Sequence, residues 1–261
     1  MDGDKAGASR LADVLRFASI DSTSSEAFRR AAAGAPAPLW IVADRQLKGR
    51  GRRNRGWTSE PGNLYASVLL RPSVPAARAG ELSFVAALAL YEAVAATAPH
   101  LAGKLTLKWP NDLLASGRKL SGILLESSAA ATRPLDAVVI GFGVNCASHP
   151  AGTEYPVTDL TAEGAAVQPA DLLDALVTAF SAAYEDWALG EGFAAIRSGW
   201  LERAAGLGEA ITVRLPNAEL RGTFEALGPD GSLTLRDTDG AVRRIAAGEV
   251  FFGDRSLRGA S

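Results

Sequence analysis

The sequence predicts an α+β fold: a mixed β-sheet packed with helices, followed by a small all-β module. Three observations carry this. Apolar runs of strand length occur at 39–43 and 136–145, and an alternating strand pattern at 63–70. Helical spacing of apolar residues occupies 81–96 and the stretch after Pro169. Beyond Gly206 the texture changes to short β-rich pieces cut by turn signals.

Leu39 to Ala43 and NLYASVLL at 63–70 read as strands, with a loop dense in Gly and Arg anchored between them. The segment 31–38, rich in Ala and Pro, reads as a loop. Leu82, Val85, Ala86, Ala89 and Ala93 share one helical face, and Pro99 ends that helix. Leu105, Leu107 and Trp109 alternate until Pro110, which lacks the N–H a ladder needs, and SGRK turns the chain into KLSGILLES. The expectation is two antiparallel strands. DAVVIGFGVN at 136–145 is a continuous apolar run ending in two glycines, as in a buried central strand approached closely at its end. Leu172, Leu173, Leu176, Val177, Phe180, Tyr184 and Trp187 form the stripe of a long helix, and Phe193, Ile196 and Trp200 that of a second. These stripes are core. ITVRL, LRGTFEAL, SLTLRD and AVRRIAAG then suggest a compact barrel of about 50 residues.

The chain has 261 residues, 48% hydrophobic and 21% charged, as in soluble globular proteins. Its net charge of −2 argues against a protein held to nucleic acid mainly by charge. The one cysteine, Cys146, cannot form an internal disulfide, which suits a reducing compartment with the cytoplasm as default. The N-terminus lacks a signal-like apolar stretch, and no window approaches the ~18 apolar residues of a membrane span. With two histidines, His100 and His149, and one cysteine, no Cys/His metal cage can be assembled.

Lys48, Arg50, Arg52, Arg53 and Arg55 place five cations in eight residues of an acidic chain. Charge so concentrated needs an anion. Gly49, Gly51 and Gly56 let the backbone approach a carboxylate or phosphate while guanidiniums bind it bidentately. A solvated basic stretch or a nucleic-acid patch is the competing reading. KWPND at 108–112 ends a strand at Pro110 and exposes Asn111 and Asp112, although Asn-Asp after Pro is also an ordinary turn signal. Lys119 opens a strand beside Gly122 and either caps it or reaches the arginine loop's cleft to meet phosphate oxygens. Asn145, closing GFGVN, has an amide able to pair with a purine edge. The GxGxxG fingerprint, the P-loop and the G-x-S-x-G elbow are all missing.

Ser22, Thr23 and Ser24 after Asp21, then Gln46, GRGRRNRGW, KWPND, KLSGILLE and GFGVN, in this order and spacing, resemble the biotin protein ligase family across 17–255. The resemblance implies a catalytic domain related to class II aminoacyl-tRNA synthetases and lipoate ligases, taken as 1–205, and a small β-barrel at 206–261. It implies that biotin and MgATP form biotinyl-5′-adenylate, which a lysine of a biotin carboxyl carrier domain attacks. Lys119, Arg50 and Asp112 are the implied catalytic residues. Ser22, Thr23, Ser24, Gln46, Arg50, Gly51, Arg52, Lys119 and Gly122 would bind biotin. Arg52, Trp57, Asn111, Lys119 and Asn145 would bind ATP or the adenylate, Trp57 covering the adenine face.

Asp112 is a candidate Mg²⁺ ligand, amine orienter or proton acceptor, and no tightly bound metal is expected. The sequence departs from the pattern at Lys48, where a small residue is usual, and at Asn54, where glycine is common. Both bear on the loop's mobility, which is expected to end when an anion binds. A lipoate ligase-like acyltransferase on the same scaffold is the alternative enzyme. A nucleic-acid-binding regulator is the other alternative, but only 20 residues precede Asp21, against about 60 for a helix-turn-helix domain. Neither nucleic acid nor membrane is an expected partner.

Overall fold

The computed structural model describes residues 13–128 and 136–252. The first twelve residues of the expected catalytic region and the last nine of the expected barrel lie outside them. The larger layer is a seven-stranded sheet of β1 (Asp13–Phe17), β2 (Leu39–Ala43), β3 (Leu64–Leu70), β4 (Leu105–Lys108), β5 (Asp112–Ala115), β6 (Arg118–Ser128) and β7 (Ala137–Val144). Its order is β1-β2-β3-β7-β6-β5-β4. The first pair is parallel and every other pair antiparallel.

Helix α1 (Thr23–Ala32) covers one face, where Ala27 packs with Ile41, Leu69 and Val139. Helices α2 (Leu82–Thr97), α3 (Pro169–Trp187) and α4 (Phe193–Glu202) belong to the larger core on the other face, with Trp40, Val68, Ile140 and Phe142. Burial on both faces explains why β2 reads as an unbroken apolar run and why every residue of β3, Ser67 included, is buried rather than every second one. The helical segment Ala76–Thr97 is by length and composition apolar enough to cross a membrane, which corrects the expectation that no such window exists. Here it is a core helix: Leu82, Val85, Leu90 and Val94 are fully buried in the protein.

The hairpin around KWPND also differs from expectation. The sequence suggests two strands, 105–109 pairing with 119–127; the structure inserts β5 between them, so that β4 and β6 each pair with β5. Four residues directly after a Pro-Asn turn are too few to show a strand period. Ser116 and Gly117, both at positive φ, make the next turn.

Past α4 the chain forms a five-stranded antiparallel sheet of β8 (Ala210–Arg214), β9 (Glu219–Leu227), β10 (Leu233–Asp237), β11 (Val242–Ile245) and β12 (Glu249–Phe252), ordered β11-β10-β9-β8-β12. Two of its turns rest on the larger layer. Gly231 lies against Phe84 of α2 and its carbonyl accepts from Trp109 Nε1 at 3.1 Å. The turn before β12 reaches the arginine loop through Gly248 and Glu249.

Candidate active site

The cavity follows from the side-chain period of β7. On the face shared with α1, Ala137 and Val139 fill the space beneath the helix, whereas Gly141 and Gly143 leave it open. In register, Gly143 pairs with Gly122 of β6 and Gly141 with Ser67 of β3. A cavity of about 140 Å³ thus opens on a glycine floor at the N-terminus of α1. All residues assigned above to biotin, ATP or catalysis line it except Asn145.

At the α1 end, Ser22 is the N-cap and its hydroxyl accepts from Ser25 N at 3.4 Å. Gln46 Oε1 accepts from Thr23 N at 2.9 Å and from Thr23 Oγ1 at 3.1 Å. Ser67 Oγ lies 2.7 Å from Thr23 Oγ1 and 3.1 Å from Ser24 Oγ. This wall is a cluster of short buried hydroxyls and one half-buried amide. The Trp57 indole lies over the floor. A Cβ on Gly143 would sit 2.5 Å from Trp57 Cε2, and one on Gly122 3.2 Å from Trp57 Cζ3. Trp57 Nε1 is buried with no hydrogen-bond partner, and a Cβ on Gly143 would lie 2.8 Å from it.

The cations form the opposite wall. Lys119 Nζ is 2.7 Å from Asp112 Oδ1, and both side chains are 14% exposed. Burial pulls the Lys119 pKa down, but the Asp112 carboxylate and the Tyr155 phenol outweigh it and hold Lys119 above the ordinary lysine value. Lys108 Nζ stands 4.0 Å from Asp112 Oδ2. Its pKa is lowered, chiefly by burial. Arg52 Nη1 donates to Asn111 Oδ1 at 3.3 Å and to Gly248 O at 3.1 Å.

The anions that the loop requires are partly internal. Arg50 donates to Ser25 Oγ at 2.9 Å and to both Glu126 oxygens at 3.3 and 3.4 Å. Arg55 grips Glu249 bidentately at 2.8 and 2.6 Å, which keeps the Glu249 carboxyl below its ordinary range. Arg53 stands 3.8 Å from the same carboxylate. Asn54 at φ 58 and Arg53 at φ 54 occupy the left-handed region. Asparagine tolerates it better than most residues, so it serves where glycine is common.

Asn145 is placed elsewhere. Its Nδ2 donates to Thr158 O at 3.0 Å, and its backbone ties β6 to the following segment through Leu120 O and Leu160 N. His149 is engaged by Asp159 at 2.6 Å, and His100 by Glu163 O at 3.3 Å. Among the described residues no cluster of His, Cys, Asp and Glu could hold a metal. Asp112 faces two lysines, so the residues present do not fit a resident Mg²⁺, which prefers several oxygen ligands.

Three contributors are additional to those expected from sequence. Lys108 was legible: with Leu105, Leu107 and Trp109 turned to the core, the strand period sends Lys108 to the cavity face. Tyr155 and the Gly248–Glu249 turn had no such signal.

Comparisons with known proteins find relatives along most of the chain. The Biotin/lipoate A/B protein ligase family matches residues 17–145, and the Biotin protein ligase C terminal domain matches 206–253. The biotin–(acetyl-CoA-carboxylase) ligase of Paracoccus denitrificans is 44% identical over 91% of this chain and 99% of its own. The bifunctional ligase/repressor BirA of Bacillus subtilis is 31% identical over 90% of this chain and 72% of its own. The structure of the biotin protein ligase from Aquifex aeolicus in complex with biotin and ATP superposes with a TM-score of 0.75 at 26% identity, covering 92% of this chain and 97% of that one. Fold and site thus define a protein of the biotin and lipoate ligase class. Within it, the chain belongs to the biotin protein ligase family.

Proposed function

We propose that this cavity joins biotin to ATP as biotinyl-5′-adenylate and passes the biotinyl group to a lysine of a biotin carboxyl carrier domain. One observation carries the reading: buried hydroxyls, a glycine floor and a wall of cations converge on a single cavity in a chain of this family. Biotin has a ureido head, an apolar body and a carboxylate, and the cavity offers partners in that order. The hydroxyls and Gln46 suit the ureido group. The floor and Trp57 suit the body. Lys119 and Arg52 suit the place where a carboxylate must approach an α-phosphate, because like charges repel unless neutralised.

Mg²⁺ enters on this reading with ATP, as part of the substrate. Trp57 and Asn111 line the nucleotide side, whereas Asn145 would act through the segment it anchors. The partly screened Arg50 would serve biotin from the rim. Asp112 holds Lys119 in place. The boundary near residue 205 separates the two functional regions, and the lone, buried Cys146 suits the cytoplasm.

The test is incubation with biotin, MgATP and a carrier domain, followed by mass spectrometry. A biotin-sized increment on one lysine is expected, and its absence would refute the reading. Unlabelled lipoate competing as well as unlabelled biotin against labelled biotin would favour the lipoate ligase alternative.

Gly143→Ala probes the floor. The new Cβ, 2.5 Å from Trp57 Cε2, must expel the indole. Biotin affinity should fall at least about ten-fold, or roughly 1.4 kcal/mol. Calorimetric titration checks this; affinity equal to wild type would show that the indole's seat is irrelevant to binding.

A further inference from the structure

We infer that the Lys108 amine is the proton acceptor for the carrier lysine in the transfer half-reaction, a role separate from that of Lys119. The inference rests on the function proposed above and assigns to this chain a group for its second step. The two lysines share one carboxylate unequally. Asp112 Oδ1 is 2.7 Å from Lys119, whereas its other oxygen is 4.0 Å from Lys108. Lys108 is 10% exposed at its side chain, and its Nζ makes no hydrogen bond among the described residues. Aromatic faces surround it instead: the centroids of Tyr155, Phe251 and Phe252 are 5.5, 5.6 and 5.9 Å away.

Lys108 also stands where two cavities meet. A second cavity, of about 170 Å³, lies on its far side between β12 and residues 154–156, and Lys108 and Lys119 line both. An alkylamine entering through this apolar space would reach the reacting centre past Lys108.

The electrostatics divide the two lysines. Four titratable groups influence Lys108: Asp112 from β5, Lys119 from β6, Tyr155 from the segment after β7 and Glu249 from β12. Burial lowers its pKa; the two carboxylates oppose this and the Lys119 charge adds to it. Lys119 is held above the ordinary lysine value and Lys108 below it, so of the two Lys108 is the amine that gives up its proton first.

The step balances as follows. The carrier amine nitrogen bonds to the biotinyl carbonyl carbon, and the bond from that carbon to the phosphate oxygen breaks. AMP leaves with the electron pair. The proton shed by the attacking nitrogen passes to the neutral Lys108 amine, which later returns it to water. Lys119 offsets the charge gathering on the leaving phosphate.

The experiment measures the two half-reactions separately: pyrophosphate release with biotin and MgATP alone, then single-turnover transfer from enzyme-held adenylate to the carrier. Lys108→Gln and Lys108→Arg should each slow transfer about 10²- to 10⁴-fold more than they slow adenylation. Arginine fails because it keeps the charge but cannot give up its proton. Transfer by Lys108→Arg within ten-fold of wild type, or equal losses in both steps, would overturn the inference and leave Lys108 a charge only. The wild-type protein supplies a check that needs no variant. In a ¹³Cε NMR titration, Lys108 should deprotonate below the ordinary lysine value of 10.5 and before Lys119; the reverse order would also overturn the inference. If wild type releases no pyrophosphate with biotin, the proposed function fails first and takes this inference with it.

Discussion

Lys119→Ala is expected to slow adenylate formation by about two to three decades, comparable to removing a donor that stabilises developing charge in a water-poor site. Lys119 opens β6 with its backbone held on both sides: its N–H donates to Pro156 O at 2.9 Å and its carbonyl accepts from Thr158 N at 2.9 Å. The chain therefore fixes the direction in which the ammonium points, and Asp112 at 2.7 Å fixes its end. Removing the side chain takes away the nearest cation of that carboxylate, with only Lys108 left, 4.0 Å from its other oxygen. Breaking a buried pair from one side costs about 3–5 kcal/mol, so the variant should be less stable as well as slower. A lysine that merely capped a strand would not carry that penalty.

Catalysis and stability are separated by Lys119→Ala combined with Asp112→Asn, which removes the stranded charge. The double variant should regain much of the lost melting temperature but none of the adenylation rate, read by calorimetry and pyrophosphate release. Near-normal pyrophosphate release by either folded variant would remove Lys119 from the chemistry.

What the sequence revealed about this site was local, and what it concealed was distant. Gly141 and Gly143 announced a close approach because a strand that loses its side chains on one face must leave a space there. The hydroxyl run at Ser22–Ser24 and the crowded cations at 48–55 were equally visible. Their partners were not. Arg50 meets Glu126 across 76 residues, and Arg55 meets Glu249 across 194, so spacing could not show that two carboxylates screen the loop. The same limit hid the partner of Asn145, whose amide donates to Thr158 O and does not line the cavity. Strand β5 went unseen because its four residues follow a turn signal at once. Lys108 lay in plain sight within KWPND, and only the strand period, applied one residue past Leu107, turns it toward the cavity.

Arg52→Gly should increase the adenylate's dissociation constant by about one to two decades. Arg52 begins the short turn Arg52–Asn54, and its guanidinium reaches both Asn111 and the Gly248 carbonyl of the C-terminal sheet. Burial lowers its pKa, the mark of a cation already drawn from water before any ligand arrives. Each charge-assisted hydrogen bond that it would give the adenylate is worth about 1.5–3 kcal/mol. At about 1.4 kcal/mol per decade, losing one accounts for the expected change. The substitution also releases a tie between loop and C-terminal sheet, leaving the turn to the Arg55–Glu249 pair. A reactive adenylate that escapes should then label exposed lysines of unrelated proteins. Arg53→Gly supplies the contrast. Arg53 is 3.8 Å from Glu249 and hydrogen-bonds neither Asn111 nor Gly248, so its loss removes equal loop charge while leaving that bridge in place. Adenylate off-rate and labelling of a bystander protein, measured at equal folded concentration, decide the matter. Fast release and bystander labelling by Arg52→Gly alone support a specific clamp, whereas equal effects from both variants would assign retention to the net charge of the loop.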